Sequence, residues 1–169
     1  MADAAEGLVP PPALDQKGNT TIWWVPTIAN VAAPTAAEIG ASGAFRITYS
    51  FTPDGWNLQG AQDKTTDDRL AIPQPLESLD SNKVTLDLKY VDTAQAGSAA
   101  VVLVEGTSGY FVERRKVPNS TLIAAAQKVR VIPVTLGAQN PGPLDGTGKF
   151  TIVQATAINA VVGKEVAVV

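Results

Sequence analysis

Two stretches of this chain alternate apolar and polar residues with a period of two, and this pattern constrains its fold more than any other feature. Phe45, Ile47, Tyr49 and Phe51 are separated by Arg46, Thr48 and Ser50, and Val84, Leu86, Leu88 and Tyr90 by Thr85, Asp87 and Lys89. A strand turns successive side chains to opposite faces, so both stretches read as half-buried strands. Thr20 to Val25 is a β-branched and aromatic run stopped by Pro26 and reads as a third. The continuous apolar run Ala99–Val104 suits a strand covered on both faces, joined through Glu105–Gly109 to Tyr110–Arg114 as a hairpin. Val129–Leu136 reads as another strand, with Pro133 confining it to an edge, an end or a bulge. Residues 149–158 and 165–169 are β-rich as well.

Helical signals are short. Thr35 and Glu38 have capping-box spacing, and Gly40 is placed to end that helix in the left-handed conformation. Ser120–Gln127 contains Ala124-Ala125-Ala126 and is expected to form a second short helix. The fold expected is mainly β: one sandwich or barrel-like domain over residues 20–169 with one or two short flanking helices. Residues 1–19 carry Val9-Pro10-Pro11-Pro12 and read as an N-terminal arm. Pro53-Asp54-Gly55 predicts a turn that opens a long polar loop over about 54–83.

Composition narrows the function. The chain has 169 residues, 45% of them hydrophobic, enough for one real core, and only 17% charged. It has no Cys and no His, which removes thiolate chemistry, zinc–sulfur sites and the commonest general base. Neither a catalytic carboxylate pair nor a cofactor motif stands out. The net charge of -3 argues against an electrostatic grip on nucleic acid. Arg114-Arg115-Lys116 does not change that, because neighbours on a strand face opposite sides. Gly146-Thr147-Gly148-Lys149 lacks the first glycine of a phosphate loop, Pro143 standing there, and Phe150 replaces its Ser or Thr, so it reads as a turn. Asp63, Asp67 and Asp68 lack the spacing of a calcium loop and read as solvated. Asn19 and Asn119 open glycosylation-type triplets that need a secretory route to matter. The start Met1-Ala2-Asp3-Ala4-Ala5-Glu6 has no apolar signal region, and no apolar run is long enough to cross a bilayer, so synthesis in the cytoplasm is expected. Trp23 and Trp24 must point to opposite faces. Either one of them meets a helix or a neighbouring chain, or both are covered within the monomer.

Several segments, in order, resemble the tail tube (major tail) proteins of siphophages, particularly those of phages of actinobacteria. They are Trp23-Trp24-Val25-Pro26-Thr27-Ile28-Ala29-Asn30, Ala33-Pro34-Thr35-Ala36-Ala37-Glu38-Ile39, Thr52-Pro53-Asp54-Gly55-Trp56, Asp68-Arg69-Leu70, and Ala126 to Gln139. The resemblance implies a β-sandwich flanked by a helix, assembled as hexameric rings whose sheets join into one barrel. The rings stack into the conduit through which genomic DNA leaves, without sequence-specific binding. The lack of His, of Cys and of any convincing catalytic constellation leads to the expectation of no enzymatic activity and no cofactor. The partners the resemblance implies are copies of the chain itself, a tape-measure protein, and tail-tip and terminator proteins, within the virion tail. The candidate inter-ring contacts are Trp56, Asp67, Asp68 and Arg69, and the candidate lumen-facing strand face is Thr85, Asp87 and Lys89. The competing reading is a β-sandwich head-decoration or adhesion module that does not polymerise; a small enzyme using carboxylates alone ranks below both.

Overall fold

The computed structural model describes residues 12–71, 73–144 and 148–169. Its strands are β1 (Thr20–Val25), β2 (Phe45–Arg46), β3 (Phe51–Asp67), β4 (Leu76–Val91), β5 (Ser108–Arg115), β6 (Lys128–Pro141), β7 (Thr151–Ile158) and β8 (Val166–Ala167). Two one-turn helices, α1 (Ala36–Ile39) and α2 (Ala99–Val102), accompany them. The strands form one antiparallel sheet in the order β2-β1-β5-β6-β7-β4-β3, with β8 pairing β6 to the side. The sheet curls into a half-barrel, so the mainly β, barrel-like single domain with two short helices is what the chain adopts.

Alternation along β1, β5 and β6 feeds two cores. Ile22, Trp24, Phe111, Ile132, Val134 and Leu136 point into the curl, where they meet Leu86, Leu88 and Tyr90 of β4 and Ala99 and Leu103 at α2. Trp23, Val25, Val112, Val129 and Val131 point the other way, under Ile28, Ile39 and the C-terminal Val168. Both indoles are therefore covered within one chain, each at 6% exposure or less. The tail is stitched down by backbone bonds from Val169 to Pro34 and from Val168 to Gln127. One half of the sheet is thus covered on both faces. In the other half, β7, β4 and the root of β3 are covered only on the inside.

The α1 cap forms as the spacing requires: Thr35 Oγ1 accepts from the Glu38 N–H at 3.1 Å, and Glu38 accepts from the Thr35 N–H at 2.8 Å. Gly40 follows with φ -96, so the helix ends without a left-handed residue. Pro133 sits inside β6, but its carbonyl accepts from Asn159 just past the last β6–β7 pair, Val134↔Ile158. Its missing donor therefore faces a place where the β7 ladder has already ended.

Four local expectations are corrected. Phe45–Phe51 is not one strand: β2 stops after Arg46 and a 3₁₀ turn covers Thr48–Ser50. The Ile22 carbonyl still accepts from the Ile47 N–H at 3.0 Å, but the Ile22 N–H goes to Thr48 Oγ1 at 2.9 Å instead of to a backbone carbonyl of the next residues. The run 99–104 is not a strand but α2 and its exit. Gln139 and Gln154 amides donate to the Leu103 carbonyl at 3.0 and 3.1 Å, satisfying the helix end. Consequently β5 pairs with β1 and β6 rather than with that run. Residues 120–127 form no helix, because Arg114 takes the carbonyls of Pro118, Thr121 and Leu122. Last, 54–83 is not one long loop: 54–67 lie in β3 and 76–83 in β4, which leaves only 68–75 to join them, and Pro53-Asp54-Gly55 is a bulge inside β3 between Phe51 and Trp56. The predicted turn at Gly146 and Thr147 lies outside the described residues.

At that bulge Gly55 is buried, and a Cβ there would collide with the Lys89 carbonyl and stand 2.7 Å from Thr52 Oγ1. Gly55→Ala is therefore expected to lower unfolding free energy by about 3 kcal/mol in urea titrations. Gly60→Ala, where the added carbon meets nothing nearer than 3.6 Å, is expected to change it by less than about 0.5 kcal/mol. The Ala29 N–H, then the Thr35 N–H and hydroxyl, hold the Glu38 carboxyl below its ordinary value of 4.5. A depressed carboxyl stabilises the fold above its ordinary pKa and loses that contribution as pH falls through the folded value. Glu38→Gln should thus be less stable than the parent at neutral pH, with the gap closing in unfolding curves taken toward pH 3.

Candidate assembly surfaces

Beyond its root, the β3–β4 pair leaves the body of the protein. β7 pairs with β4 only over Asp87–Val91, whereas β3 and β4 stay paired from Trp56↔Leu88 to Asp67↔Leu76. The segment from Gln59 to Asp67 and its partner strand therefore form a two-stranded ribbon of about 30 Å. Its described residues are exposed on both faces from Gln59 through Lys83, apart from the undescribed residue 72. This explains the missing alternation: neither face is buried, so neither selects apolar residues. A lone two-stranded ribbon is marginally stable in water. The ion pairs Lys64–Glu77 at 2.7 Å and Arg69–Asp67 at 2.9 Å are exposed and add little. Leu70, Leu76 and Leu79 are exposed along it.

The structure separates the candidate contact residues. Asp67 ends β3, and Asp68 and Arg69 follow at the tip. Trp56 is at the other end of β3 and faces inward. Its ring meets Phe51 at 5.4 Å and Phe111 at 5.2 Å, and its Nε1 donates to Glu113 Oε1 at 3.0 Å. Thr85, Asp87 and Lys89 do share one face of β4, the outer one. Asp87 is flanked in register by Asn57 on β3 and Ala155 on β7, and Lys89 by Val153. Lys89 pairs with Asp54 at 3.2 Å, and the Thr52 hydroxyl and then Lys89 keep the Asp54 carboxyl below its ordinary range. This outer face carries Asn57, Thr85, Ala155 and Val153 beside the Lys89–Asp54 pair, with Asp87 a carboxylate outside that pair.

Besides the two-residue edge strand β2 at its other end, the sheet has two open edges among the described residues that sequence patterning could not locate. β3 pairs with β4 alone, so its outer backbone groups from Asn57 onward lack strand partners among the described residues. β6 loses β5 after Thr135 yet continues beside β7 to Pro141, leaving a second open edge with Ala138 and Asn140 exposed. Unpaired strand edges are templates for pairing with another chain. The basic run is split as its alternation required: Arg114 is buried, Arg115 pairs with Glu113 at 2.8 Å, and Lys116 adopts φ 64. Arg114 and Arg46 stack on Trp23 at 5.2 and 5.6 Å, and burial followed by the Arg46 charge lowers the Arg114 pKa. Among the described residues no acidic cluster has the geometry to hold a metal, and no helix is long and apolar enough to cross a membrane.

Comparison with known sequences agrees with this surface inventory. No curated protein is similar enough to count as a relative. The family model described as phage tail tube protein matches residues 9–169, nearly the whole chain. A mainly β domain with open sheet edges and a projecting ribbon, matched over that span, belongs to the phage tail tube protein family, structural components of the virion tail.

Proposed function

We propose that copies of the chain close into hexameric rings by pairing the β3 edge of one copy with the open half of the β6 edge of the next. These rings stack into the DNA-conducting tube of a siphophage tail. The observation that carries this reading is the direction of the edge strands. β6, β7, β4 and β3 are neighbours in that order, each antiparallel to the next. Three reversals make β3 antiparallel to β6. A copy related by simple rotation therefore brings its β6 beside β3 in the antiparallel sense, continuing the ladder without a break. Such a head-to-tail contact closes a ring and removes both exposed edges.

In that ring the uncovered outer face of β3, β4 and β7 lines the lumen. Asn57, Thr85, Ala155 and Asp87 lie on it beside Lys89, whose charge Asp54 offsets at 3.2 Å, so passing DNA meets no cluster of free cations and phosphate is not held. The ribbon, with Asp67, Asp68 and Arg69 at its tip, contacts the adjacent ring, and Trp56 acts on that contact by anchoring the root of β3. Copies of the chain are the main partners, with tape-measure, tail-tip and terminator proteins at the tube's interior and ends. The subunit is made in the host cytoplasm and has no catalytic role. Resemblance to tail tube proteins of actinobacterial phages supports this assignment of tail type.

Two measurements test it. The chain has no native Cys, so Gln59→Cys in one chain and Asn140→Cys in another report edge pairing without background. Oxidation of mixed assemblies should give covalent dimers; rings that form without any link at 57, 59 or 61 against 138 or 140 close through other edges. For the lumen, Thr85→Lys with Asp87→Lys should slow DNA release from virions. Release at the parental rate would remove this face from the channel.

A further inference from the structure

Because the sheet curls without closing, a groove of about 760 Å³ remains along its seam, between the chain entering β1, the 3₁₀ turn, the root of β3 and the end of β5. Its apolar wall is aromatic. Phe51 and Trp56 are half-buried there, and Tyr49 is 81% exposed although its hydroxyl accepts a 3.2 Å bond from Asn119 Nδ2. A large ring held at its tip and bare on its faces offers an apolar partner contact area that is already ordered. The root of β3 forms one wall of this groove, so the direction of β3 decides what a neighbouring copy would bring to it.

When β6 of the next copy continues the ladder on β3, it runs antiparallel, and the residues after Pro141 pass back along β3 from Asn57 toward Phe51. In an antiparallel pair, one step forward on one strand is one step back on the other. With 57 opposite 138, residue 144 falls alongside 51; with 61 opposite 140, it falls alongside 57. Every register that joins 57, 59 or 61 to 138 or 140 therefore carries residue 144 to the groove wall. The backbone itself ends the ladder there. The Gly142 N–H goes to the Thr151 carbonyl at 2.7 Å, so Pro141 and Pro143 turn their backbone to the open edge, where neither has an N–H to give. Beyond Asn140 the contact passes to side chains, and the one that arrives is Leu144, 82% exposed in a single copy. Its own groove is out of reach. Phe51, Tyr90, Ile152 and Pro141 pair in one row, so β4 and β7 stand between Leu144 and that groove.

We propose that Leu144 of one copy seats on Tyr49 and Trp56 in the seam groove of its neighbour, an apolar anchor that fixes the register of the contact between copies. This rests on the reading that the β3 and β6 edges pair. Chains carrying Leu144→Cys are mixed with chains carrying Tyr49→Cys, assembled and oxidised, and the Gln59→Cys/Asn140→Cys pair is run in parallel to report edge pairing. Covalent dimers from both mixtures are the expected result. An edge link without the 144–49 link overturns the anchor and leaves the edge reading standing, whereas absence of both links overturns both. A second measurement needs no cysteine. Leu144→Ser is expected to raise the concentration at which half the chain is assembled about tenfold in sedimentation velocity, the scale set by burying one leucine. Leu122→Ser, 79% exposed and on neither edge nor groove, is expected to leave it unchanged. An equal loss in both variants, or no loss in Leu144→Ser, overturns the anchor.

Discussion

The contact between Trp56 and β5 organises the rest of this structure. Trp56 lies at the root of β3, the last strand of the sheet, yet its ring meets Phe111 at 5.2 Å and its indole N–H reaches Glu113 at 3.0 Å, both on β5. Three strands, β6, β7 and β4, separate β3 from β5 along the sheet. Contact across that interval requires the sheet to curl, and aromatic pairs such as this contribute about 1 kcal/mol beyond their burial. The same contact brings the Glu113 carboxylate inside, where Arg115 at 2.8 Å and Arg130 at 3.8 Å offset its charge. Removing one member would leave that charge underpaired.

Curling without closing has three consequences. The inner face of the sheet becomes a core, with α2 held in it by the amides of Gln139 and Gln154. Beyond the body, β3 and β4 run on as a ribbon with nothing to pack against. At the seam, a groove stays open where a closed barrel would have joined its ends. The ribbon and the groove are left uncovered within one chain, and the open edges of β3 and β6 are two different patches of it. That is the condition for head-to-tail assembly, in which two different patches of one molecule meet.

Much of the fold was legible because one-sided burial writes itself into sequence. Thr20–Val25 is β1 residue for residue, the alternation at Val84–Tyr90 lies in β4, and the Thr35/Glu38 cap forms around α1. The same logic failed where burial was absent or a side chain intervened. The ribbon is polar on both faces, so 54–83 read as loop. Tyr49 continued the alternation begun at Phe45, but the Thr48 hydroxyl takes the Ile22 N–H that a longer β2 would have bonded. Ala99–Val104 is apolar at every position, which cannot distinguish a strand from a turn of helix, and its conformation was set by two distant glutamines. Of the candidate contact residues, Asp67, Asp68 and Arg69 lie together near the ribbon tip because they are adjacent in sequence. Trp56 was grouped with them by sequence position alone, and its ring faces the core.

The sequence by itself determined the β class, the α1 cap and the absence of His and Cys, because these follow from local pattern and composition. It also carried the family resemblance, since order and spacing of short motifs survive without knowledge of the fold. Tertiary structure alone decided which strand edges stay open, which sheet face is left bare, and where the seam groove lies. These depend on which strands become neighbours and how far the sheet curls. That is settled by contacts such as Trp56 with Phe111, fifty-five positions apart, for which no local pattern exists.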